Sequence, residues 1–253
     1  MTQTQRTFAH PSDPKAVVLL SGGLDSTVLA YMMSEKYNCH FLSFNYGQRH
    51  SKEILYAGQT ARRLGSPHNV IDLTSLGLLL KGSALSDPNV AVPEGHYSAD
   101  NMAITVVPNR NATMLSCATA VAVAEKASVV AFAPHFGDYQ QYPDCRTRFV
   151  DRLQEALTIG NEGFMLGGFR IEAPFIAMSK ADIVTIGENL KVPFASTWSC
   201  YKGGSVHCGR CGTCVERAEA FWEAQVADPT TYADNEYWSQ VTGKWPIILG
   251  GSK

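Results

Sequence analysis

The chain has 253 residues, of which 45% are hydrophobic, and a formal net charge of -2. That length suits one domain, or one domain with a small appendage, and a core large enough to need no disulfides. The mildly acidic balance excludes the basic footprint of a general nucleic-acid binder, so small-molecule substrates and no direct nucleic-acid contact are expected.

Residues 1–14 are polar and read as a flexible lead-in, with no apolar stretch ahead of a cleavage site. No apolar run reaches membrane-spanning length, so no membrane contact is expected. A cytoplasmic location follows as an expectation. There thiols stay reduced, so the seven cysteines read as metal ligands, reactive thiols or small core residues.

From residue 16 strand and helix patterns alternate. Residues 16–20 form a continuous apolar run, as a parallel strand buried on both faces requires. A glycine turn leads into a predicted helix over 25–36. A second strand is predicted over 40–46, a helix over 51–64 stopped by Gly65, and a third strand over 68–73. Residues 79–108 break the pattern with scattered Gly, Ser, Asp and Pro, as a functional or mobile loop does. A helix over 111–126, a strand over 128–133 and a helix over 145–159 follow. Strands separated by helices imply βαβ units, hence an α/β fold with a doubly wound parallel sheet. From about residue 191 the character changes. The domain reading is one main domain over 15–190 and a small, partly helical region over 191–253 that holds four of the seven cysteines.

Ser21-Gly22-Gly23-Leu24-Asp25-Ser26-Thr27 lies between the first strand and its helix. Glycines let a backbone turn tightly and approach a ligand. The free N–H groups of a helix start, with the hydroxyls of Ser21, Ser26 and Thr27, suit an anion. Asp25 disfavours a bare phosphate and makes sense with Mg²⁺ between carboxylate and phosphate. The Gly-Lys-Ser/Thr ending of the usual phosphate loop is missing, as is the dinucleotide fingerprint.

Cys200, Cys208, Cys211 and Cys214 form the second motif, with two interlocked Cys-x-x-Cys steps. Four thiolates fill a tetrahedral shell and leave no open position, which describes one structural Zn²⁺ per chain. Its binding contributes directly to local folding. His207 then reads as a bystander or a substrate-facing residue. Cys39 and Cys117 read as core cysteines.

The Ser-Gly-Gly-x-Asp-Ser pattern resembles the PP-loop of the N-type ATP pyrophosphatases, which implies an adenine-nucleotide alpha-hydrolase-like fold, ATP as substrate and AMP transfer. With the cysteine motif, the chain resembles the 7-cyano-7-deazaguanine synthase family over nearly its whole length. The segments that carry this are Phe44 to His50, Val107 to Asn111, Tyr142 to Arg146, Ser179 to Ile183, and Thr197 to Tyr201. The resemblance implies adenylation of 7-carboxy-7-deazaguanine, reaction with ammonia to an amide, and a second activation that drives dehydration to the nitrile. It places ATP on Leu20, Ser21, Gly22, Gly23, Leu24, Asp25, Ser26, Thr27, Tyr46 and Gln48. Lys180 is the candidate cation for the leaving pyrophosphate, and Arg110 a second by motif position. The substrate would be read through Asp138, Tyr139, Tyr142, Asp144 and Arg146, with Asp138 or Asp144 accepting from the base and Tyr139 or Tyr142 stacking on it. Asp144 can equally cap the helix that follows. A homodimer is also implied.

Four places depart from the family pattern. Asn45 stands where aspartate is common, Asn109 and Gln141 where glycine is, and Ala133-Pro134 where a Gly-Val pair is. These departures motivate one variant of the function: adenylation followed by conjugation to another amine, such as a protein N-terminus. Two other classes are a tRNA-thiolating PP-loop enzyme, which needs a reactive cysteine pair near ATP, and a zinc-binding module without activity, which leaves Ser21 to Thr27 unused.

Overall fold

The structure is a computed structural model that describes residues 13–97 and 102–244. Most of the predicted lead-in lies outside the described residues. The elements, in chain order, are β1 (Lys15–Leu19), α1 (Leu24–Met33), β2 (Asn38–Asn45), α2 (Glu53–Leu64), β3 (His68–Asp72), α3 (Thr74–Gly77), α4 (Arg110–Glu125), β4 (Val129–Ala131), α5 (Thr147–Gly160), β5 (Arg170–Glu172), α6 (Lys180–Asn189), α7 (Gly212–Glu223) and α8 (Tyr237–Thr242). No helix among the described residues is long and apolar enough to cross a membrane.

The five strands pair in parallel in the order β3-β2-β1-β4-β5. Val17 faces His40 on one side and Val130 on the other. Strand period then sends alternate residues to opposite faces. Ala16, Val18, Phe41, Val129 and Ala131 join a core with α1, α2, α6 and α7. Val17, Leu42, Phe44, Val130 and Ile171 join a second core under α4 and α5. The sheet is therefore doubly wound, as its apolar strand runs predict. Each fully buried Leu or Phe in these layers contributes roughly 1.5–3 kcal/mol.

The helices differ from the expected bounds at their ends. α1 stops at Met33, because Lys36 and Tyr37 both donate to the Met33 carbonyl and close the turn. α2 begins at Glu53 after a turn, and α5 at Thr147 after a 3-10 turn at Pro143–Cys145. Residues 79–97 and 102–108 are pinned, with Leu85, Met102, Thr105 and Val107 buried. Leu85 accepts from the Arg49 N–H, Ile104 from Ala84, and Arg210 from Gly95. They form a wall rather than a free loop. The region after residue 191 shares the main core through Val192, Phe194, Ala220 and Phe221.

Asn109 shows what one family departure does. It precedes α4 at φ 57°, ψ 19°, the left-handed region where a glycine is at ease and asparagine is tolerated. The backbone need is the same with either residue. Asn109→Ala is expected to lower unfolding stability by about 1 kcal/mol, and Asn109→Gly to leave it nearly unchanged, read from urea midpoints. Asn45 likewise accepts the Gly47 N–H at 3.1 Å, a bond that aspartate would also accept.

Candidate active site

The sheet order reverses at β1, whose neighbours are β2 and β4. In open α/β sheets ligands bind beyond the strand C-termini at such a point. A cavity of about 250 Å³ lies there, lined by the residues after β1, β2 and β4 and by the starts of α4, α6 and α7. Its size suits small molecules rather than a polymer groove.

The loop after β1 is drawn into a ring by Ser26. Its Oγ accepts from the N–H groups of Ser21 (3.2 Å) and Gly22 (3.3 Å) and lies 2.9 Å from Ser21 Oγ. Gly23 caps α1 with no side-chain acceptor, which leaves the first helical N–H groups facing the cavity. Gly22 has φ 93°, and a Cβ there would sit 2.1 Å from the Glu53 carbonyl oxygen and 2.7 Å from the Ala57 nitrogen. The loop therefore rests on α2. Gly22→Ala is expected to cost about 3 kcal/mol or more, measured by chemical unfolding, because both the φ and the backbone contact forbid it.

At the loop's far side Lys180 Nζ lies 2.7 Å from Glu216 Oε2 and 3.3 Å from Asp25 Oδ2. Lys180 opens α6, held there by the Ser179–Asp182 capping box. Burial works against its charge, but Asp25 and Glu216 outweigh burial and hold its pKa above the ordinary lysine value. The ammonium stays charged. Asp25 Oδ1 is buried with no hydrogen-bond partner. An orphaned carboxylate oxygen at a phosphate loop fits a hard divalent cation such as Mg²⁺.

The other end of the cavity is aromatic and cationic, with Arg110 among Tyr46, Tyr142 and Tyr201. Tyr142 Oη is 2.7 Å from Thr105 Oγ1 and 3.3 Å from Tyr97 Oη. Asp138 accepts the His135 backbone N–H at 3.1 Å and the Tyr97 hydroxyl at 3.4 Å. His135 Nδ1 accepts the Gly137 N–H at 3.0 Å, so the neutral ring carries its proton on Nε2. That nitrogen is 3.6 Å from Asp138 and 3.7 Å from Glu216. Burial pushes the Glu53 carboxyl up to about 8, and burial with Arg110 takes His50 down to about 3.

Leu20, Ser21, Gly23, Leu24, Asp25, Ser26, Tyr46, Arg110, Asp138, Tyr142 and Lys180 thus share one cavity. Gly22 faces α2, and Thr27 is buried behind the loop. Gln48 lies beneath Tyr46, accepting its N–H and donating to the Phe44 carbonyl, both at 2.9 Å. Between the paired alternatives, Asp138 and Tyr142 face the cavity. Asp144 instead accepts the Asn111 N–H at 3.2 Å at the start of α4. Tyr139 is half exposed, and Arg146 lies over its ring and donates to its carbonyl at 2.9 Å, away from the cavity. Of the departing residues, Ala133 and Pro134 line the cavity, while Gln141 Oε1 is buried without a partner. His50, Glu53, Tyr97, His135, Tyr201 and Glu216 were not singled out by sequence. His50 and Tyr201 lie inside segments that carry the family resemblance, and Glu216 has no signal beyond its nearness to the cysteines.

The four sequence-predicted cysteines meet. Their sulfurs lie within 4.8 Å of one another, and Cys208 and Cys214 are 3.9 Å apart. A tetrahedral Zn²⁺ with sulfurs at about 2.3 Å sets them roughly 3.8 Å apart. The Cys208 sulfur also accepts the N–H groups of Arg210 (3.4 Å) and Cys211 (3.2 Å). The donor set fits a closed zinc site. His207 is a structural neighbour: Nε2 accepts the Ser199 N–H at 3.1 Å and its ring packs on Trp198. The cluster reaches the cavity through α7. Thr213 donates to the Ser199 carbonyl at 2.8 Å, and Glu216 follows Cys214 by two residues.

The family model described as "Queuosine biosynthesis protein QueC" matches residues 15–225. The chain belongs to this family. It is 52% identical to the 7-cyano-7-deazaguanine synthase of Rhizobium rhizogenes, over 90% of this chain and 96% of that protein. It is 53% identical to the synthase of the same name from a Ruegeria species, over 89% and 96%. Among solved structures, NMN synthetase from Francisella tularensis is similar at a TM-score of 0.46 and 15% identity, covering 94% of this chain and 80% of that one. For a QueC family member the cavity gathers the phosphate loop, the Lys180 cation and the Arg110 end in one enclosure.

Proposed function

We propose that this enzyme is an ATP-dependent ligase of the 7-cyano-7-deazaguanine synthase type, converting 7-carboxy-7-deazaguanine and ammonia to the nitrile by way of an acyl-adenylate and an amide. The observation that carries this is the pairing of Lys180 with both Asp25 and Glu216 at a phosphate loop that opens into the Arg110 end. A carboxylate is a poor electrophile, and adenylation gives it AMP as a leaving group. The loop N–H groups and Ser21 hold the phosphates. Lys180 stabilises the charge that builds on departing pyrophosphate. Arg110 orients the substrate carboxylate, Asp138 accepts N–H groups of the base, and Tyr142 packs on its ring. When bound through Asp25, Mg²⁺ supplies charge neutralisation at the phosphates. Cys200, Cys208, Cys211 and Cys214 hold one structural Zn²⁺.

Two features weigh against thiolation. Cys145 is the one thiol lining the cavity among the described residues, and burial raises its pKa well above the ordinary thiol value. The paired cysteines are in the zinc cluster.

The test is to incubate zinc-loaded protein with Mg-ATP, 7-carboxy-7-deazaguanine and ammonium, following products by mass spectrometry. Nitrile with AMP release is expected. Amide or adenylate without nitrile would favour conjugation to another amine, and no turnover would overturn the substrate assignment.

A further inference from the structure

Four carboxyl groups face the cavity among the described residues: Asp25, Glu53, Asp138 and Glu216. Three are engaged. Asp25 and Glu216 share the Lys180 ammonium, and Asp138 is held by the His135 N–H and the Tyr97 hydroxyl. Glu53 has only long contacts, 3.5 Å to Gln48 Nε2 and 3.5 Å to His50 Nε2. No described lysine or arginine lies within ion-pair distance of it. Its place is nonetheless fixed, because it opens α2 and its carbonyl packs against Gly22 of the phosphate loop.

The proposed reaction needs a base beside that loop. Nitrile formation takes a proton from the substrate nitrogen as AMP departs. His135 is unsuited, since the Gly137 N–H occupies Nδ1 and the proton already sits on Nε2. His50 is buried, with Nδ1 unpartnered, and its low basicity makes it a poor acceptor.

We propose that Glu53 is the general base of the nitrile-forming step. This rests on the proposed adenylation of the amide oxygen. In the O-adenylated amide, R–C(=NH)–O–AMP, the Glu53 carboxylate removes the N–H proton. The N–H electron pair becomes the third carbon–nitrogen bond. The C–O bond breaks, and AMP leaves with that bond's pair. Glu53 then releases its proton to water.

The groups around Glu53 suit the task. Tyr46 and His50 face it from the turn after β2, and Arg110 from α4, while Asp25 and Lys180 line the same cavity from α1 and α6. Burial outweighs Arg110 and holds the carboxyl near 8, so the base form grows as pH rises through neutrality.

The test supplies the 7-carboxamide of 7-deazaguanine with Mg-ATP to the zinc-loaded enzyme, which removes ammonia and its own titration from the reaction. The rate of nitrile formation is expected to rise with pH along a one-proton limb centred near 8. ATP–pyrophosphate exchange with the carboxylate substrate should lack that limb. Glu53→Gln, checked for an unchanged melting temperature, is expected to lose about 100-fold or more in nitrile formation, to lose the limb, and to lose far less in exchange. Equal losses in both reactions, or a limb that persists in the variant, would overturn the proposal. If the variant does not fold, the unaltered enzyme still decides, because exchange without a limb in nitrile formation overturns this proposal alone. Absence of exchange in the unaltered enzyme overturns the adenylation reading and this proposal with it.

Discussion

Lys180→Ala is expected to lower ATP–pyrophosphate exchange by about 10³-fold or more, the scale for removing a preorganised charge from a water-excluded site. The buried ammonium lies between Asp25 and Glu216, and no other lysine lines the cavity among the described residues. Its loss also leaves two half-buried carboxylates facing each other, so stability falls, by about 3 kcal/mol as when one partner of a buried pair is removed. The two effects separate in Lys180→Met combined with Glu216→Gln. That pair restores much of the stability in a urea melt, while exchange stays low. An active double variant would contradict the role of Lys180 at the phosphates.

Cys208→Ser, or stripping by a strong chelator, is expected to remove one zinc per chain and abolish turnover. Structural zinc binding is worth about 10–16 kcal/mol in small zinc modules, an amount comparable with the whole stability of a domain. Cys200 and Cys211 are fully buried, so their thiolates without metal would be uncompensated charge in the core. Amide protection should fall over residues 197–216, which carry Ser199, Tyr201, Thr213 and Glu216 to the cavity. Metal analysis and hydrogen exchange read this directly. Retained protection and activity at zero zinc would rule out a structural role.

Much of this was legible in the sequence, for identifiable reasons. β1, its loop and α1 are visible because an apolar run, two glycines and a polar helix start fall in order within residues 16–27. The cysteine cluster is visible because its four members lie within residues 200–214. β5 was missed because Arg170-Ile171-Glu172 is three residues with one buried, too short for any period to register. The choice between Tyr139 and Tyr142 stayed open because two 3-10 turns, Phe136–Asp138 and Pro143–Cys145, re-aim the chain on either side of them. Glu216 and His135 owe their importance to where α7 meets the loop after β4, a juxtaposition with no local signature. The family departures at Asn45 and Asn109 are among those that, in sequence, motivate a variant of the function with another amine. In the structure both keep the turn geometry that the usual residues provide.

The cavity is assembled from segments spread from Leu19 to Glu216, and this orders events during synthesis. Domains fold as they emerge, N-terminal part first, at about 5–20 residues per second. The residues of the phosphate loop have all been made once Thr27 is added, but the loop rests on α2, and the second carboxylate on Lys180 arrives only with Glu216. A nascent chain stalled between Thr27 and Glu216 lacks the complete arrangement of Asp25, Lys180 and Glu216. The fully anchored ammonium therefore belongs only to a chain synthesised past the start of α7.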